Sequence, residues 1–148
     1  MVVPHRSLGA ACVLALMIPS LWAGAGARQL GSRPAEDWIA RLERPERIAG
    51  LKVDEILAQL HLKPGQVIAD IGAGPGIFSL PLAKAVGQAG RVYAEEVDQA
   101  FVDRINVRIK EQAITNVRAV LGTFTDPGLP ARDVDLAFFH DVVHHVEN

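Results

Sequence analysis

Three clusters of residues in this chain have the types and spacing to do chemistry. The first is Asp70-Ile71-Gly72-Ala73-Gly74-Pro75-Gly76. It follows the apolar run Val67-Ile68-Ala69 and precedes Ile77-Phe78-Ser79-Leu80. That order predicts a buried strand, then a glycine loop, then a helix. Glycine tolerates positive φ and has no Cβ, so a ligand can approach the backbone closely. The helix that follows points its free N–H groups into the same space. A mononucleotide-like ligand at the carboxyl end of the strand is the expected use. Gly72, Gly74 and Gly76 read G-x-G-x-G, and Ile77 stands where a dinucleotide fingerprint needs its third glycine. No G-x-x-x-x-G-K-S/T occurs, which argues against a nucleoside triphosphate loop.

The second cluster is acidic. Gly90-Arg91-Val92-Tyr93-Ala94-Glu95-Glu96-Val97-Asp98 reads as a strand that ends in carboxylates. Glu96 lies 26 residues after Asp70, against about 20 residues for the ribose acid of the dinucleotide version. An ionised carboxylate there accepts from both ribose hydroxyls. Glu95 competes for the role, and strand alternation allows only one of the two to face the ligand.

The third cluster is Phe138-Phe139-His140-Asp141-Val142-Val143-His144-His145. His140 and His144 are four apart and would share a face of a helix, with Asp141 as a further oxygen ligand. The strand boundary falls on His140, however, and no H-E-x-x-H is present, so no metal is expected. Ser79 lacks the G-x-S-x-G surroundings of a hydrolase nucleophile.

These clusters need a frame to position them. Helices are expected over Glu36–Arg44 and, after Pro45, over Arg47–Leu60. Gln66–Ile71 is the first strand, almost continuously apolar, as suits a parallel strand covered on both faces. A helix over Phe78–Val86 carries Pro81 in its first turn and Gly87 beyond its end. Strands over Arg91–Glu96, Asn116–Leu121 and Val134–Phe139 follow. Between the first two lies a helix over Gln99–Gln112 with Phe101, Ile105 and Ile109 on one face. Asp126–Pro130 is a loop, and a helix is expected to begin at Asp141. Strands alternating with helices imply βαβ units and a parallel α/β sheet.

The glycine loop with Asp70, the strand end at Glu96 and the strand end at His140-Asp141 together resemble the class I S-adenosylmethionine-dependent methyltransferases. The resemblance runs from Trp38 to His145. It implies a Rossmann-like, doubly wound parallel sheet in the order 3-2-1-4, with about four strands present of the family's seven. Strand four would then lack its outer neighbour, an edge that is an aggregation hazard. A truncated domain is therefore expected, its sheet completed by a missing segment or a partner.

The resemblance also implies S-adenosyl-L-methionine as cofactor and a cofactor site made of Asp70, Gly72, Ala73, Gly74, Gly76, Glu96, Val97, Gly122, Thr123, Phe124, His140 and Asp141. Asp70 and the glycine loop would hold the methionine end, and Glu96 the ribose. Thr123 stands where the family commonly has an acid on the adenine amino group, and it keeps only an uncharged acceptor. Phe124 either stacks on adenine or packs in the core. His140 or Asp141 would line the acceptor pocket. The implied reaction is in-line transfer of a methyl group from a sulfonium, for which the protein mainly supplies positioning. Trp38, the segment Leu42 to Arg47 and Leu62-Lys63-Pro64-Gly65 look like a bacterial small-molecule branch, some members of which are exported. The competing readings are a non-catalytic, truncated cofactor-binding remnant and a nicotinamide-dependent oxidoreductase.

Composition bounds the partners. The 148 residues suit one domain, and 49% are hydrophobic, enough for a packed core. Residues 1–27 read as a signal peptide: Arg6 at the start, an apolar block Leu8–Leu21, and Ala25-Gly26-Ala27 before the cut. An uncleaved anchor is the alternative. A periplasmic or secreted location is therefore expected, with residues 28–148 as the N-terminal part of the methyltransferase domain. That portion keeps 14 basic and 17 acidic residues, a net of −3, which is no nucleic-acid-binding balance. Cys12, the only cysteine, lies in the leader, so disulfides and cysteine-zinc sites are excluded from the remainder. No later apolar run is long enough for a stable membrane span. The expected partner is a small-molecule substrate.

Overall fold

The computed structural model describes residues 34–142. The leader and the His144-His145 pair lie outside the described residues. Four strands, β1 (Val67–Ile71), β2 (Arg91–Glu96), β3 (Val117–Leu121) and β4 (Leu136–Phe139), form one parallel sheet in the order β3-β2-β1-β4. Helix α4 (Ser79–Val86) links β1 to β2, and α5 (Gln99–Glu111) links β2 to β3. Among the described residues no helix lies between β3 and β4.

Alternation sorts the strand residues onto two faces. Ile68, Val92 and Phe138 share one face and pack with Phe78 and with Leu82, Ala83 and Val86 of α4. Leu51, Val53, Ile56 and Leu57 of the N-terminal region close over that cluster. On the other face stand Ala69, Ile71, Glu95 and Ala137 with Phe139, a residue that is 44% exposed. Asn116, just before β3, ties that strand to α4: its side-chain amide donates to the carbonyls of Ala83 and Gly87, both at 2.9 Å, closing the C-terminal end of α4. Val67 and Asp135 exchange two bonds. Val67 N donates to Asp135 Oδ2 at 2.8 Å, and Asp135 N donates to the Val67 carbonyl at 2.8 Å.

The N-terminal helices differ from expectation. Helix α1 (Ala35–Leu42) ends before Pro45, as the proline requires. The single helix expected over Arg47–Leu60 is two: α2 (Pro45–Gly50) and α3 (Val53–Gln59). The break is at Lys52, whose φ of 51° is left-handed. The turn lets Leu51 and Val53 both reach the core. Strand β4 starts two residues later than expected, because Val134 and Asp135 form the turn into it. Asp141 does not begin a helix: its φ of 57° lies in the left-handed region.

Candidate cofactor site

The site forms where β1, β2 and β3 end side by side. After Ile71 the chain must turn over the sheet edge, and Gly72, Gly74 and Gly76 do so with φ of 66°, 56° and 77°. The turn is held from several sides. Ala73 N donates to the Glu95 carbonyl at 2.9 Å, and Gly76 N to the Ala73 carbonyl at 3.0 Å. Arg108 Nη1, from α5, donates to the Pro75 carbonyl at 2.9 Å. Glu43, just past α1, binds Arg104 through both oxygens at 2.7 and 2.9 Å and lies 3.9 Å from Arg108. Among the described residues, Gly74's chain neighbours aside, only the Leu42 side chain comes within 4 Å of where a Cβ on Gly74 would sit, so α1 caps the loop without filling it.

Three buried carboxylates surround this turn. Asp70 Oδ2 accepts from Ser79 Oγ at 2.6 Å. Glu96 Oε1 accepts from Gly74 N at 2.8 Å, and its Oε2 from Val97 N at 3.0 Å. Glu95 Oε2 accepts from Gly72 N at 3.2 Å. Burial pushes the Asp70 carboxyl up to about 7, opposed by the Ser79 hydroxyl and reinforced by the Glu96 charge. Burial likewise pushes Glu95 up to about 7, against the Gly72 N–H and with the neighbouring charges of Glu96 and Asp70. Burial raises Glu96 as well, and backbone N–H groups of Gly74, Val97 and Asp98 oppose it.

A cleft of about 440 Å³ opens beside the turn. The glycine loop contributes Gly72, β2 contributes Glu95, Glu96 and Val97, and the segment after β3 contributes Thr123 and Phe124. Ala137, Phe139 and Val142 form the opposite wall. The structure thus brings five of the expected residues to one cavity: Gly72, Glu96, Val97, Thr123 and Phe124. Phe124 is half-buried at the cleft wall.

Other expected residues stand elsewhere. Asp70 lies beneath the loop, on the helix-packed face, and is not part of the cleft wall. Ala73, Gly74 and Gly76 shape the loop from behind, and Gly122 sits under Glu95. His140 is turned away from the cleft: its ring lies 4.6 Å from Phe78 and 6.4 Å from Phe138. Asp141 is exposed, 3.9 Å from Arg47. Neither lines the cleft, because the left-handed turn at Asp141 sends Val142 there instead.

Two further expectations need correction. Glu95 and Glu96 both line the cleft, although alternation allows one. Glu96 is the last residue of β2, and its side chain folds back onto Gly74 and Val97 rather than standing off the sheet. The Thr123 hydroxyl is not free for a ligand. It accepts from Asp126 N at 3.0 Å and donates to the Asp126 carbonyl at 3.2 Å, holding its own turn. Sequence reasoning passed over Val142 altogether. Its side chain fills the space that a Cβ on Gly72 would need, and nothing in residue type signals that.

The cavity suits a nucleoside with a charged tail. Glu96 accepts from Gly74 N at Oε1 and from Val97 N at Oε2, which leaves lone pairs on the carboxylate for ribose hydroxyls. Gly72 brings the start of the glycine loop to the cleft, and Phe124 offers a ring at the wall. Known proteins share sequence and fold with this chain. Residues 68–148, more than half of the chain, match the family model described as a methyltransferase domain. A ribosomal RNA large subunit methyltransferase E from Xanthomonas oryzae is 36% identical over 89 residues, covering 56% of this chain and 42% of that protein. The chain therefore spans less than half the length of that curated relative. A SAM-dependent methyltransferase from Aquifex aeolicus superposes with a TM-score of 0.71 at 26% identity, covering 78% of this chain and 61% of the other. A SAM-dependent O-methyltransferase from Thermotoga maritima gives 0.55 at 26% identity, covering 72% and 40%. The cofactor that these matches imply is S-adenosyl-L-methionine, and the chain belongs to the methyltransferase domain family, with that family's Rossmann-like parallel sheet.

Proposed function

We propose that the chain binds S-adenosyl-L-methionine in this cleft and takes part in methyl transfer to a small-molecule acceptor. The observation that carries the reading is the pairing of Glu96 with Gly74 N–H at 2.8 Å, which sets a buried acid directly against the glycine loop. When bound, the cofactor supplies an electrophilic methyl group on a sulfonium. The chain's own residues orient it. Glu96 would hold the ribose hydroxyls, the turn at Gly72–Gly76 would receive the amino-acid end, and Phe124 with Val97 would flank the base. Asp70 acts from beneath, by fixing the turn through Ser79. No general base is assigned, since one is needed only when the acceptor must lose a proton.

The acceptor class rests on charge. The chain carries 17 acidic and 15 basic residues, whereas an RNA acceptor calls for a basic surface. The Xanthomonas relative is named for ribosomal RNA, but the likeness spans 42% of it. Calorimetric titration with S-adenosylhomocysteine tests the cofactor, and transfer of a labelled methyl group tests the acceptor. Label in a small-molecule fraction supports the reading; label in ribosomal RNA overturns the acceptor class. Neither binding nor transfer would leave a non-catalytic role for the fold.

Export belongs to the same proposal and rests on the leader-like residues 1–27. Mature protein whose N-terminus is Arg28 supports it. An intact N-terminus in the membrane fraction favours the anchor instead. Among the described residues no helix is long and apolar enough to cross a membrane.

A further inference from the structure

Glu95 has no task in that reading, yet its placement is costly. It is 2% exposed and stands in register with Ile71 on one side and Val120 on the other. An apolar side chain would suit those neighbours. A buried carboxylate needs partners to offset its desolvation, and burial is the largest influence on its ionisation. The side chain nonetheless reaches two neighbouring strands. Oε2 accepts from Gly72 N at 3.2 Å, at the start of the turn after β1. Oε1 fills the space that a Cβ on Gly122 would need, at the end of β3. Among the described residues no donor meets Oε1, and Glu95 lines the cleft. Gly122 is held in turn by the bond from its N to the Glu96 carbonyl at 2.9 Å.

We propose that Glu95 is a positioning residue of the cleft: its carboxylate braces the turn after β1 against the end of β3 and so sets the width of the space between them. That this space receives S-adenosylmethionine rests on the reading above; the brace itself does not. Glycine at 122 is the counterpart of the brace, because any larger residue would displace the carboxylate.

Two measurements on the full chain test this. The first is amide hydrogen exchange at Gly72, which needs no ligand. Glu95→Ala should speed it by about tenfold, the worth of one such bond, while Glu95→Gln, which keeps an acceptor oxygen, should not. The second is affinity for S-adenosylhomocysteine, taken at a temperature where circular dichroism shows each variant folded. Glu95→Ala should weaken binding by about tenfold, and Glu95→Gln should stay within about threefold of the unsubstituted chain. Gly122→Ala should weaken binding alone but add nothing in the Glu95→Ala background, since the two changes break one contact. Unchanged exchange at Gly72 in Glu95→Ala overturns the brace. Equal losses from Gln and Ala also overturn it, because they make the charge itself the ligand contact. Should the unsubstituted chain bind no S-adenosylhomocysteine, the cofactor reading and the cleft-width role fail together, while the Gly72 exchange still decides the brace.

Discussion

Ser79 donates its hydroxyl to Asp70 across 2.6 Å, so the first residue of α4 is tied to the strand that leads into the glycine turn. Both ends of the turn are thereby fixed by one buried bond. Ser79→Ala removes the partner of a buried carboxyl, an unsatisfied group that costs about 1–3 kcal/mol. Denaturant unfolding should show a loss of that size with an unchanged m-value. Asp70→Asn should lose less, because the amide oxygen still accepts the hydroxyl.

Stability should fall as pH rises through neutrality. Asp70 and Glu95 both stand near 7 in the folded chain, against 3.8 and 4.5 ordinarily. Each holds its proton more tightly folded than unfolded. Their contribution is fully present below the ordinary values and is lost as pH rises through about 7. The Tm of the ligand-free chain should therefore be lower at about pH 8 than at about pH 5.5. A cation in the cleft favours the ionised acids. The Tm gain from S-adenosylmethionine should thus grow with pH more than the gain from neutral-sulfur S-adenosylhomocysteine.

Two arginines one turn apart on α5 should behave differently. Arg104 pairs with Glu43, but both side chains keep more than a fifth of their surface in water. Such pairs contribute about 0–1 kcal/mol, so Arg104→Ala should hardly move the unfolding midpoint. Arg108 is more buried, and burial lowers its affinity for its proton. It holds the Pro75 carbonyl at 2.9 Å. Arg108→Ala frees the turn, and titration should show weaker S-adenosylhomocysteine binding by about tenfold.

The glycines of the turn should rank by surroundings. An alanine at Gly76 adopts φ 77° and meets Ile105 Cγ1 at 3.3 Å and Leu80 Cδ1 at 3.4 Å. Strain and crowding add, for about 2–4 kcal/mol. At Gly74 the nearest atom is Leu42 Cδ1 at 3.8 Å, which leaves the backbone strain of about 1–2 kcal/mol. Thermal unfolding of the two variants should give that order.

The sheet was legible in the sequence where chemistry and periodicity agreed. The run Val67–Ile71 before the glycines, and Arg91–Glu96 before Asp98, appear as β1 and β2. Asp98 caps α5 by accepting from Ala100 N at 2.9 Å, a local signal that residue type carries. The 3-2-1-4 order came through the family resemblance and is the order observed. What failed to show was non-local or conformational. Lys52 takes a left-handed φ that its type does not announce, and the split of α2 from α3 serves core packing. The Asp141 turn is of the same kind. The two uses of adjacent acids, Glu96 folded onto Gly74 and Glu95 set against Gly72 from the cleft face, depend on which backbone N–H each reaches. The closing of the Thr123 hydroxyl onto Asp126 likewise depends on a turn geometry that composition alone leaves open.

The two-way bond between Val67 and Asp135 also bears on the order in which the chain assembles. β1, α4 and β2 are near neighbours in sequence, whereas β4 joins β1 from 68 residues away. Closing a longer loop costs more entropy before any contact compensates it. Among the described residues β4 is also the shortest strand, with four residues, and it pairs only with β1. The far wall of the cleft, Ala137 and Phe139, should therefore assemble late and open early. Ligand contacts on that wall would act as a late folding step, slowing the opening of β4 more than that of the β1–β2 pair.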